Sequence, residues 1–188
     1  SEDSDVQGRR FEFIVLEDKS INAFAAPGGI IGINLGMFLE TRKEGELASV
    51  MCHELAHLSQ RHYARSQNRS SPLANALMVL GSIVVAAASR NPEAILIAPA
   101  AMQQMSINFT RSNEKEADRI GFNNLVKAGF NPDDMTSMFQ RMQDKYQSKS
   151  SEEFSYLMTH PLPSERLSDM RVRADNLPKS SKNNYRDN

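Results

Sequence analysis

The sequence predicts an α+β fold, mostly helical, with a small β-sheet near the N-terminus. Three observations predict it. Short apolar segments, partly β-branched and bounded by turn residues, are confined to the first 34 positions. After Gly45, apolar residues recur at three- and four-residue spacing. Caps, prolines and glycines then punctuate those periodic stretches where helices begin and end. With 188 residues, one compact domain over 1–176 is expected, large enough to bury about 70% of the unfolded surface. Residues 177–188 read as a polar tail or truncated linker.

Phe11 to Glu17 is a short apolar run and reads as a buried strand. Ile21 to Ala26 is followed by the turn signal Pro27-Gly28-Gly29. Ile30 to Asn34 reads as a second strand. Leu47, Val50, Met51, Leu55 and Leu58 then mark one apolar face of a helix over 46–66. Ser71-Pro72 is a cap with proline at the first helical position. It opens an apolar run over 73–89, and Asn91-Pro92 restarts a second apolar helix toward Met105. A helix over 107–128 stops at Gly129. Asn131-Pro132-Asp133-Asp134 is a cap, a proline and two acids that suit the helix dipole. Ser164-Glu165 opens a last short helix. No repeat is visible.

Composition excludes several classes. Net charge is −1 and the pI about 6.4, which argues against a nucleic-acid module. One cysteine excludes an internal disulfide framework and a cysteine-rich zinc module. That residue, Cys52, reads as a small core residue, and the ten methionines, Met78, Met102 and Met105 among them, as core filler. Ser1 to Arg10 is polar and reads as neither signal peptide nor anchor. The run over 73–89 is interrupted by Asn75, Gly81 and Ser82 and is short of a comfortable membrane span.

The chemistry lies in His53-Glu54-Leu55-Ala56-His57, an HExxH within the expected helix. Residues four apart point the same way, about 6 Å apart along the axis. Two imidazoles so placed can meet one metal ion at about 2.0–2.1 Å. Glu54 projects beside the ion, where a carboxylate can take a proton from an attacking water. A third ligand is needed. Glu114 and Asp118 share one face of a later helix. Glu114 would bind the metal, and Asp118 would orient a ligand histidine through its other ring N–H. Ala117 and Gly121 continue that face and would let the two helices approach closely. Glu116 is the rival ligand, but lies about 200° round the helix from Glu114. His62, five residues past His57 and about 140° away, should miss the metal.

HELAH, the downstream TRSNEKEADRIG, the upstream INAFAAPGG and the late HPLPSERL resemble the M48 family of zinc metallopeptidases, part of the gluzincins. Within it they are most similar to the bacterial periplasmic group of beta-barrel assembly-enhancing proteases. The resemblance runs from about Phe11 to Asn176. It implies a gluzincin-type α+β domain holding one zinc ion per chain on His53, His57 and Glu114, with Glu54 as general base. It also implies a periplasmic endopeptidase for misfolded envelope or outer-membrane proteins. The partners implied are polypeptide substrates, unfolded outer-membrane proteins and the barrel assembly machinery. Members usually carry a helical segment before the first strand, and the closest relatives a C-terminal repeat domain. This chain therefore reads as the catalytic domain of a longer protein or as a shorter relative.

The resemblance also places His160, in THPLPSERL, near the zinc, where it would displace the attacking water or stabilise the oxyanion. As a fourth ligand it would close the position that a catalytic zinc keeps open, so a self-inhibited state is expected. Arg166 is a candidate partner for Asp118 or Glu116. The strand Ile30 to Asn34 could hold an extended substrate at the sheet edge. The apolar hairpin over 68–106 leaves from and returns to the neighbourhood of the site. It is expected to act as a lid, with peripheral membrane contact through 73–105. The competing readings are a zinc-stabilised periplasmic chaperone or adaptor with little peptidase activity, and a helical interaction domain without metal.

Overall fold

The computed structural model describes residues 10–69, 97–148 and 155–177. Three strands come first: β1 (Glu12–Leu16), β2 (Ala23–Ala26) and β3 (Ile30–Asn34). Seven helices follow among the described residues: α1 (Leu35–Glu40), α2 (Glu44–Ser59), α3 (His62–Arg69), α4 (Ile97–Lys127), α5 (Pro132–Ser148), α6 (Ser155–Thr159) and α7 (Ser164–Asp175). This is the expected α+β architecture, helix-dominated with its sheet at the N-terminus. The chain forms two compact units, one of 1–60 with 114–188 and the other of 61–113. The sheet and the chemistry-bearing residues belong to the first.

The sheet order is β1-β3-β2. β1 runs parallel to β3, and β2 antiparallel to it, with Phe24 opposite Gly32. Pro27-Gly28-Gly29 makes the β2–β3 turn as the sequence predicts, with Gly28 and Gly29 at φ 95° and 87°. Two expectations are corrected. β3 is the central strand, so Ile30–Asn34 has no free edge to offer a substrate; β1 and β2 are the edges. β1 is exposed along its length, with Val15 59% accessible. A continuous apolar run reads as covered on both faces, yet this strand has one neighbour and neither face packed among the described residues.

α2 is the central element. It packs on β2 and on α5, and its buried residues, from Gly45 to Ser59, cover more than half of its circumference. The core around it joins Val50 to Ile31, Phe122, Leu125, Met135, Met138, Phe139 and Met170. Cys52 is part of this core, and burial pushes its thiol up to about 11. Methionines do fill the core, although Met78, Met102 and Met105 lie outside the residues whose side chains are described.

The helix expected over 46–66 is two helices. Arg61 adopts φ 53° between α2 and α3, a left-handed conformation that arginine does not advertise in sequence. His62 opens α3, so the angular argument that set it aside does not apply. α4 runs unbroken from Ile97 to Lys127, with no boundary near 106. At its end Gly129, φ 82°, and Phe130 donate to the carbonyls of Val126 and Leu125. The expected cap before α5 is present: the Asp133 N–H donates to Asn131 Oδ1 at 3.0 Å. α1 and α6 were not expected; both are short, and Asn34 before α1 makes no side-chain cap hydrogen bond. The apolar stretch over 70–96, with most of the expected lid and membrane contact, lies outside the described residues, as does 178–188. No described helix is long and apolar enough to cross a membrane.

Candidate metal centre

Three segments deliver the site. α2 presents His53, Glu54 and His57, α4 presents Glu114 and Asp118, and the turn between α6 and α7 presents His160. α4 reaches α2 because Gly121 has no side chain. A Cβ there would lie 3.0 Å from the His53 Cα and backbone nitrogen. Ala117 packs on Ala56 beside it. The sequence expectation that small residues at 117 and 121 permit close approach is met.

One ligand atom from each of His53, His57, Glu114 and His160 can be chosen so that all lie within 4.8 Å of one another. The Nε2 atoms of His53 and His57 are 3.0 Å apart. Glu114 straddles them, Oε2 3.3 Å from His53 Nε2 and Oε1 3.3 Å from His57 Nε2. His160 Nδ1 lies 3.1 and 3.2 Å from the two Glu114 oxygens. Its Nε2 is 3.6 Å from Glu54 Oε1.

One carboxylate and one arginine back this cluster. Asp118 Oδ1 is 3.1 Å from His53 Nδ1. Arg166 is 2% accessible and pairs with both acids. Its Nε and Nη2 donate to Asp118 at 2.7 and 2.8 Å, and its Nη1 lies 2.9 Å from Glu114 Oε2. Nη1 also donates to the Pro161 carbonyl, next to His160. Arg166 thus pairs with Asp118, one of its two expected partners, and with Glu114. Glu116, the rival ligand, lies outside the cluster. It lines a cleft of about 270 Å³ with Lys115, Arg119, Asp169 and Arg173.

Burial is the largest single influence on each group, but at His53, Glu114 and Asp118 the neighbours together outweigh it. Burial pushes His57 down to about 3, against the pull of Glu114. It also opposes charge on His53, but Asp118 and Glu114 outweigh it and raise that ring to about 9. Burial would raise Glu114; His160, His53 and His57 hold it far below the usual carboxylate range. Asp118 is lowered in the same way by Arg166 and His53. Glu54 moves the other way. Burial raises it, and the nearby His160 and His53 only partly offset the rise.

Sequence reasoning missed one neighbour. Tyr156, fully buried on α6, stacks on His160 with ring centroids 4.6 Å apart and planes 28° from parallel. The signal was its spacing, four residues before His160.

The donor set fits a zinc ion. Three imidazoles and one carboxylate are zinc ligands by type. Tetrahedral bonds of about 2.0–2.1 Å separate ligand atoms by roughly 3.3 Å. The His53–His57, His53–Glu114 and His57–Glu114 distances, 3.0–3.3 Å, are close to that. Two Nε2 atoms facing each other at 3.0 Å, beside buried carboxylates that favour positive charge, suit a cation.

The family model described as peptidase family M48 matches residues 1–174. The chain is similar to the beta-barrel assembly-enhancing proteases of Yersinia pestis and Escherichia coli (strain K12), each 42% identical. The matches cover 93% and 89% of this chain and 37% and 35% of those proteins. It is 29% identical to the mitochondrial metalloendopeptidase OMA1 of Schizosaccharomyces pombe, over 84% of this chain and 45% of that protein. The chain thus spans about a third of the length of the bacterial relatives it matches.

Proposed function

This chain belongs to peptidase family M48, and from that premise we propose that it is a zinc-dependent endopeptidase for unfolded polypeptides, with a self-inhibited state. The observation that carries the reading is the convergence of His53, His57, Glu114 and His160, with Glu54 buried beside them. His53, His57 and Glu114 would hold the ion. When bound, zinc supplies Lewis-acid polarisation of the scissile carbonyl and acidifies water at neutral pH.

The rest is the work of the chain's own groups. Glu54 is one turn position from the ligand histidines, and its Oε1 has no hydrogen-bond partner. Burial raises its proton affinity, which suits a base that accepts a proton from the attacking water and returns it to the leaving amine. Asp118, its Oδ1 3.1 Å from His53 Nδ1, would hold that ring, and Arg166 holds Asp118 and Glu114. β2 is an edge strand packed on α2, so an extended substrate segment can pair with its backbone beside the site.

His160 is the restraint. As a fourth ligand it would fill the position that catalysis needs open; displaced, it is placed to donate to the oxyanion. The names of the bacterial relatives speak of protease action in beta-barrel assembly; with the family resemblance, the reading extends to misfolded outer-membrane proteins as substrates, the barrel assembly machinery as a partner and the periplasm as the location.

The test is cleavage of unfolded casein by zinc-loaded protein. Glu54→Gln should abolish cleavage, a loss of at least about 10²–10⁴-fold, with zinc retained. Full cleavage by that variant would leave the chaperone or adaptor reading standing. His160→Ala should cleave faster than wild type; a clear loss would assign His160 to the oxyanion instead.

A further inference from the structure

Among the described residues, β1 has an edge that no strand covers. It pairs with β3 on one side only, and Phe13, Ile14, Val15 and Leu16 are all exposed. Leu35, Phe38 and Leu39 of α1 are exposed as well. The Gly36 N–H donates to the Asp18 carbonyl at 2.9 Å, which ties α1 to the segment after β1. Soluble proteins blunt such edges with lysine, proline, a bulge or a covering element. Glu12–Leu16 holds no lysine, proline or glycine. A regular, bare, apolar edge is a template for another strand.

The backbone fixes which groups a second strand must meet. The Glu12 N–H donates to the Gly29 carbonyl at 3.0 Å, so Glu12, Ile14 and Leu16 bond toward β3. Phe13 and Val15 turn their N–H and C=O outward. The side chains then select the partner. Two β1 strands related by a two-fold axis at Ile14 run antiparallel. Phe13 exchanges hydrogen bonds with Val15 of the second copy, and Ile14 lies opposite itself. Arg10 lies opposite Asp18 of the second copy, and symmetry repeats that pair at the other end. Both are exposed. The neighbouring registers lose this match. An axis at Val15 sets Glu12 against Asp18, and an axis at Phe13 sets Arg10 against Leu16. Opposite charges facing across a sheet are favourable, and like charges are not.

We propose that the chain forms a two-fold dimer by antiparallel pairing of β1 with β1 of a second copy, with Ile14 on the axis. Two three-stranded sheets then become one sheet of six, in the order β2-β3-β1-β1-β3-β2. The same edge serves both copies, so the assembly closes at two. The apolar strand gains a neighbour, and β2, the edge beside the candidate metal centre, stays free in each copy. The inference needs neither the metal nor the peptidase reading.

Sedimentation equilibrium across the micromolar range should show the mass rising toward twice 21.0 kDa. Val15→Lys places a charge on a side chain already exposed, so Tm should match wild type. The dimer should nevertheless weaken by about tenfold or more in Kd. Ile14→Cys reads the register. Facing residues of a non-hydrogen-bonded antiparallel pair have Cα atoms about 4.5 Å apart, within reach of a disulfide. Cys52 is buried, so mild oxidation should link two copies through the new thiol. Phe13→Cys should not link, because Phe13 faces Val15 and not itself. A monomer throughout the range overturns the proposal and leaves the edge to a different polypeptide. A dimer that Val15→Lys does not weaken overturns it by placing the interface elsewhere. Linkage at Phe13→Cys in preference to Ile14→Cys overturns the register, and with it the charge match that selects a second copy.

Discussion

At the scale of single residues, the site is held by one cation that sequence spacing could only nominate. Arg166 meets Asp118 with two nitrogens and Glu114 with a third, all with side chains under 10% accessible. Burying two carboxylates is costly unless the charge is paired and hydrogen-bonded. Arg166→Met keeps the stem and removes the charge. It should destabilise the fold by about 3–5 kcal/mol, read as a lower urea midpoint at unchanged slope. Arg166→Lys should recover only part of the loss, because an ammonium cannot reproduce the paired contacts of a planar fork. Wild-type stability in Arg166→Met would show that the pairing is not needed to keep the acids buried.

At the scale of elements, the decisive contact is α4 against α2. HExxH places two imidazoles on one turn of α2, but the third ligand arrives only if α4 comes close. The approach is set at Gly121, whose missing Cβ leaves room for the α2 backbone at His53 and Cys52. Gly121→Ala puts a methyl group against that backbone, which cannot rotate away as a side chain would. The expected result is a loss of about 1–3 kcal/mol in urea unfolding. Zinc affinity, read by chelator competition, should also weaken, because Glu114 and His53 are forced apart. Wild-type zinc affinity in this variant would mean that the helices yield elsewhere. Two features at this scale were illegible. The α2 break at Arg61 is backbone strain with no glycine to announce it, and β1 is apolar without being buried.

At the scale of the whole molecule, α2 is tied to α5 as well as to the sheet. Glu46, 2% accessible, accepts from the Arg42 N–H at 2.6 Å and from both Arg141 terminal nitrogens. Burial alone would raise its pKa, but Arg141 and the Arg42 N–H outweigh it and lower it. A carboxyl lowered on folding stabilises the protein above its unfolded pKa, about 4.3. That contribution fades as pH falls through the folded value. Urea unfolding should therefore show stability dropping below about pH 5. Glu46→Gln should be weaker at pH 7 and flatter through the acid range. An equally steep acid loss in that variant would place the titration on other acids.

The sequence by itself determined the helix-dominated class, the β2–β3 turn, the N-terminal cap of α5 and the HExxH pair of histidines. Each is written in residues close along the chain, where helix and turn geometry converts spacing directly into direction. It named Glu114 and His160 by motif, but their meeting with His53 and His57 is a matter of folding. Only the tertiary structure decided that β3 is interior, that β1 stands exposed, that Arg166 neutralises two acids at once and that Tyr156 lies against His160. Those outcomes depend on which surfaces the packed elements cover, and the coverage joins segments well separated along the chain, such as Arg166 and Asp118, 48 residues apart.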